Sequence, residues 1–98
     1  MNIINQLNKS FENRIRLGIM SILMVNDIID FNSLKNMLQL TDGNLASHLS
    51  ALEKATYIQV FKNFVGKKPQ TTYSATIEGK KAFLEHLNTL EKLIKKNH

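Results

Sequence analysis

The chain has 98 residues, no cysteine, and 13 Lys and Arg against 8 Asp and Glu, giving a net charge of +5 and an isoelectric point near 9.6. That length predicts one domain over residues 1–98, and the missing cysteine excludes disulfides, thiolate metal sites and thiol redox sensing. His48, His86 and His98 have no metal-ligand spacing, so neither metal nor cofactor is expected, and the basic balance favours a polyanionic partner.

No run approaches the roughly 20 apolar residues of a membrane span, and MNIINQLNKS lacks the apolar core of a signal peptide. A cytoplasmic location without membrane contact is expected. Ile3, Ile4, Leu7, Phe11, Ile15, Ile19, Ile22 and Leu23 form an apolar stripe at helical spacing, predicting an N-terminal helix over 1–25. It is either continuous or broken near Ser10, where Ser10 and Asn13 offer weak caps. Its early turns overhang the domain, and Ile3, Ile4 and Leu7 there call for a partner, most simply a second copy of the chain.

Asn26 and Asp27 end that helix, and residues 28–31 suit a very short strand. Asn32 is expected to cap a helix over 33–38, whose Leu34, Met37 and Leu38 fall at i, i+3, i+4 and can pack on the first. A tight connection through Leu40, Thr41 and Asp42 then makes 32–55 a helix-turn-helix. The third helix reads TDGNLASHLSALEKA over 41–55, with Thr41 or Asp42 as its cap. Leu45, Leu49 and Leu52 recur on one face, while Asn44, Ser47, His48 and Ala51 point the other way. A surface helix usually carries long Lys and Glu on its outer face; this one carries short, uncharged, hydrogen-bonding side chains suited to another polar surface. Taken alone, the helix would equally suit a core position with an undistinguished outer face.

After Ala55 the periodicity changes. Tyr57, Ile58, Val60, Phe61 and Phe64 are β-formers, VGKKPQ over 65–70 carries turn signals, and Thr71, Thr72 and Tyr73 are β-formers again. This predicts a two-stranded hairpin over 57–75 with Lys67 and Lys68 at its tip, Lys62 on a flank and Pro69 stiffening the turn. Thr76 caps a last helix over 76–96 with Glu78 in its first turn. Its Phe83, Leu87, Leu90 and Ile94 recur at +4, +3, +4 as a coiled-coil seam, widened by Leu84 and Leu93. The seam outlasts what the domain needs to cover itself, so part of it is expected to be a dimer interface; the alternative is a seam packed wholly on its own domain.

Helix, helix, turn, helix, basic hairpin, helix is the order of a winged helix-turn-helix: mainly α with a small β-hairpin and extended terminal helices. An α-helix fits the major groove and its N-terminal residues reach base edges, while the hairpin lies along the backbone or in the neighbouring minor groove. Asn44 is then the candidate reader of adenine, because its amide can bond N7 and N6 together. Ser47 and His48 are candidates for bases or phosphates. Thr41, Asp42 and Gly43 sit at the helix N-terminus, which accepts phosphate, and Lys62, Lys67, Lys68 and Thr71 would contact the backbone without reading sequence.

The runs LTDGNLASHLSALEKATYI and FVGKKPQTTYSATIEGKKAF resemble the short winged-helix transcriptional regulators related to the MarR and ArsR families, and RLGIM at 16–20 matches their first core helix. The resemblance covers most of the chain. It implies a bacterial or archaeal regulator that dimerises through its terminal helices and places the third helix in the major groove. It also implies that SATIEGKKAF begins the last helix. Two positions depart from the pattern: Thr56 stands where glycine usually follows the recognition helix, and Gln70 where the wing often carries a further basic residue. A β-branched residue resists the left-handed backbone that a glycine would adopt there.

The expectation is a homodimeric repressor on a pseudo-palindromic operator, its recognition helices about 34 Å apart. An enzyme is disfavoured, since no nucleophile has a base beside it and no glycine-rich phosphate loop occurs. The same fold can serve as a protein-interaction adaptor without sequence-specific DNA binding. A small-molecule effector has only weak support, in Met20, Met24, Phe64 and Phe83 as pocket linings that equally suit a core. Near phosphates His48 would gain a proton, because negative charge raises a histidine pKa; a hydrogen-bonding surface histidine is the simpler reading.

Overall fold

A computed structural model describes residues 3–96, so the Met1 and Asn2 end of the predicted first helix lies outside the described residues, as does His98. Two short 3-10 helices, Ile3–Gln6 and Lys9–Phe11, precede α1 (Arg14–Val25), β1 (Ile29–Asp30), α2 (Phe31–Leu38) and α3 (Asp42–Lys54). The hairpin β2 (Ile58–Val65) and β3 (Lys68–Ala75) follows, and α4 (Ile77–Lys96) closes the fold. The strands form one antiparallel sheet in the order β1-β3-β2.

The N-terminal stripe is therefore not one helix, and two asparagines explain why. The Asn8 side chain accepts from Ser10 N at 2.9 Å, and Asn13 accepts from Ile15 N at 2.8 Å and Arg16 N at 3.2 Å. Each sits in extended backbone and starts a new turn, the local competition that keeps Asn out of helix interiors. Asp30, not Asn32, caps α2, so this helix starts two residues early. The Asp30 carboxylate accepts from Ser33 Oγ at 2.6 Å and Ser33 N at 3.1 Å. The Ser33 hydroxyl is the main reason its pKa lies below the ordinary value, against some desolvation. Thr41 caps α3 as expected, its hydroxyl accepting from Asn44 N at 3.2 Å.

The end of α3 resolves the missing glycine. Thr56 takes φ +65°. Its N–H donates to Glu53 O at 2.9 Å, and Tyr57 N donates to Leu52 O at 3.0 Å, the pair of bonds of a Schellman stop. The Thr56 hydroxyl lies within reach of Ala55 O and of the Glu78 carboxylate at 2.8 Å, and the Thr56 carbonyl accepts from Thr76 Oγ1 at 2.7 Å. The helix stop is kept, and the threonine is bound to the start of α4. A left-handed L-residue costs roughly 1–2 kcal/mol, whereas exposed contacts contribute a few tenths and added chain freedom opposes by roughly 0.5–1 kcal/mol. Thr56→Gly is thus expected to stabilise by about 0.5 kcal/mol and raise the thermal midpoint by roughly 2–4 °C. A lower midpoint would mean that the bonds to Glu78 and Ala55 outweigh the strain.

In the sheet, β2 pairs with β3 from Ile58↔Ala75 to Val65↔Lys68, and β1 adds Ile29↔Tyr73 and Asp30↔Thr72, so β3 is central. Pro69 lies beyond the two residues that β1 covers, where an open edge accommodates its missing N–H. Gly66 takes φ +65° with open space around it, so the turn requires its backbone freedom. Phe11, Ile19, Met20, Leu23, Leu34, Leu45, Leu49, Leu52, Ile58, Tyr73 and Phe83 form the core. The domain is elongated, 55 × 25 × 21 Å. The 20 residues of α4, at 1.5 Å each, account for about 30 Å of that length.

Candidate nucleic-acid interface

Burial of Leu45, Leu49 and Leu52 fixes the orientation of α3. Gly43, Asn44 and Ser47 are consequently exposed, and among the described residues the Asn44 and Ser47 side chains form no hydrogen bond to the protein. Their full bonding capacity is open to a ligand. Asp42 is engaged differently: Lys35 Nζ approaches its carboxylate at 2.7 Å, tying α2 to the first turn of α3. It acts as a brace for the turn, and its charge would repel a phosphate there.

The hairpin register assigns the wing residues to different places. Lys62 pairs with Thr71. Both line a groove of about 240 Å³ with Val60 and Tyr73 against Ala46, Leu49, Ser50 and Glu53 of α3. Lys67 sits at the turn, and Lys68 lines a second recess of about 410 Å³ with Asp30, Phe31 and Asn32. Lys62 thus lies on the flank of the hairpin beside α3, and Lys67 and Lys68 occupy the far end of the wing, the placement expected from the sequence. Phe64 and Val65 project there, 74% and 61% exposed.

On the opposite flank stands a residue that sequence reasoning missed. Arg16 Nε donates to His48 Nδ1 at 3.1 Å, linking α1 to α3. Arg16 lies three residues before buried Ile19 and four before buried Met20, and a cation on that inward stripe was the available signal. The pairing is that of a hydrogen-bonding histidine, the simpler of the two readings of His48. Desolvation, and secondarily the Arg16 charge, push its pKa below the ordinary value in the free protein.

The terminal residues divide as well. Phe83 is buried against Phe11, ring centroids 5.3 Å apart, and belongs to the domain's own core instead of an outer seam. The outer edge of α4 carries Ile77, Leu84, Leu87 and Ile94, all exposed, while Leu90, Ile3 and Leu7 are half-buried and Ile4 is exposed. The suggested pocket is not assembled, because Met20 and Phe83 are core residues whereas Phe64 is on the wing surface. No described helix is long and apolar enough to cross a membrane.

A family model described as a winged helix DNA-binding domain matches residues 15–94. An uncharacterized protein of Methanocaldococcus jannaschii is 32% identical over 87 residues, covering 89% of this chain and 95% of that protein. The solved structure of a transcriptional regulator homologue from Pyrococcus horikoshii OT3 superposes with a TM-score of 0.88 at 28% identity, over 98% of this chain and 97% of that one. YusO from Bacillus subtilis superposes with a TM-score of 0.79 over 97% of this chain and 70% of its own, at 16% identity, a likeness of fold alone.

Proposed function

The chain belongs to the winged helix DNA-binding domain family, and on that premise we propose that it is a sequence-specific, homodimeric transcriptional regulator, a repressor acting in the cytoplasm at a pseudo-palindromic operator. One observation carries the reading: the exposed face of α3 presents Asn44 and Ser47 with unused bonding capacity, flanked by Arg16 on one side and Lys62 on the other. Asn44 reads adenine, Ser47 a neighbouring base or phosphate, and Lys62, Thr71, Lys67 and Lys68 hold the backbone. The exposed Ile77, Leu84, Leu87 and Ile94 edge of α4, together with Ile4, supports dimerisation.

The test starts by selecting bound sequences from random DNA and titrating the winner at two salt concentrations. Asn44→Ala should weaken binding about tenfold or more and relax preference at one base pair in each half-site, while Lys67→Ala with Lys68→Ala should flatten the salt dependence by about two units for each lysine position, one from each protomer. Sedimentation of Leu87→Asp should show monomers. The exposed Phe64 and Val65 favour a second reading, a protein-interaction adaptor. That reading gains if the wild type selects no sequence and a variant combining Asn44→Ala, Lys67→Ala and Lys68→Ala binds DNA as the wild type does.

A further inference from the structure

We infer that Arg16 is a DNA-phosphate contact and that His48 is its positioning residue, so that the recognition surface extends from α3 onto α1. The inference rests on the DNA-binding reading above. Arg16 is half-buried, yet among the described residues it has no carboxylate within ion-pair distance, the ion pairs there being Lys35 with Asp42 and Lys95 with Glu91. Its polar partner is the imidazole of His48, through Nε and Nδ1 at 3.1 Å. A cation taken partly out of water without a counter-charge is costly to the fold and strengthens the attraction for an anion that arrives later.

The choice of histidine is informative. To accept on Nδ1, a neutral imidazole carries its proton on Nε2. A carboxylate at position 48 would orient the guanidinium equally well but would cancel its charge; a neutral imidazole orients it and leaves the charge intact. The guanidinium held in this way keeps its two Nη amino groups as free donors, and among the described residues no protein group accepts from them. Such an array suits a phosphate, whose oxygens accept several hydrogen bonds, better than a base edge with its mixed pattern. Its place suits a phosphate too: His48 lies one turn beyond Asn44 along the same edge of α3, so the array flanks the helix that would lie in the groove.

The experiment measures affinity and its salt dependence on the selected operator for a set of variants, with thermal unfolding run in parallel. Arg16→Gln should lose about tenfold or more in affinity and about 1.8 in the slope of log affinity against log salt, one phosphate contact from each protomer of the dimer. His48→Ala should lose part of that affinity, and His48→Asn, whose amide oxygen can accept from Nε, should recover it. Arg16→Gln with His48→Ala should be no weaker than Arg16→Gln alone, because the histidine acts through the arginine. If Arg16→Gln proves unstable, Arg16→Lys keeps the charge without the fork, and on that background His48→Ala should have no effect. Wild-type affinity and slope in Arg16→Gln, or additive losses in the double variant, would overturn the assignment while leaving the function standing. A wild type without operator binding overturns both.

Discussion

Gly79→Ala should destabilise the domain by about 3 kcal/mol or more, although alanine is the better helix former by about 1 kcal/mol. Gly79 lies in the first turn of α4, where an added Cβ would stand 2.8 Å from Tyr57 C and 2.9 Å from Tyr57 Cα, and nearer still to its carbonyl oxygen. All three are backbone atoms, so no side-chain rotation relieves the clash. Retreat is blocked on both sides: Thr76 N donates to Tyr57 O at 3.0 Å, and Gly79 N donates to Thr76 Oγ1 at 2.9 Å. Overpacking normally costs about 1–3 kcal/mol where side chains can adjust, and here backbone must move against backbone. Urea unfolding monitored by circular dichroism checks this; a variant as stable as the wild type would disprove the close approach.

Phe11→Ala should cost about 3–5 kcal/mol, the range for removing a fully buried aromatic ring. Phe11 is wholly buried, stacks on Tyr57 at 5.3 Å between centroids, and meets Phe83 and His86 edge-on at 5.3 and 5.5 Å. The second consequence distinguishes it from an ordinary core deletion. Phe11 anchors the segment that carries Ile3, Ile4 and Leu7, and next to it Asn8 N donates to His86 Nδ1 at 3.0 Å while Asn8 Nδ2 donates to Tyr57 OH at 2.9 Å. Losing the ring should loosen that segment and weaken the proposed self-association together with stability. Equilibrium unfolding and sedimentation measure the two effects; a stability loss below about 1 kcal/mol would show that the segment contributes little to the core.

The order of elements is legible in the sequence because each signal is local: Leu45, Leu49 and Leu52 set the face of α3, Thr41 its start, and the β-formers around VGKKPQ the wing. What stays hidden depends on contacts distant in sequence. Nothing local distinguishes Phe83, which fills the core, from Leu87, which faces outward, because both fit one helical seam; the N-terminal segment packed against α4 separates them. The Arg16 and His48 pairing spans two helices and escapes for the same reason. The first helix breaks near Ser10, the second of the two readings its apolar spacing allowed, because the side chains of Asn8 and Asn13 bond the backbone better outside a helix than inside it. Thr56 is visible in the sequence as a residue ill-suited to its backbone conformation, but its compensation by Thr76 and Glu78 lies twenty residues or more away.

Tyr57 joins three parts of the molecule at once. Its N–H closes the end of α3, its carbonyl receives Thr76 and abuts Gly79 of α4, its ring lies on Phe11, and its hydroxyl accepts from Asn8. In the proposed dimer this makes it a fulcrum. The terminal elements pack on one side of Tyr57 and the end of α3 is bound on the other, so in such a dimer the separation of the two α3 helices would follow from how α4 is held against this residue. Repacking around this one aromatic ring would then alter the half-site spacing such a dimer accepts without touching a residue proposed to meet DNA.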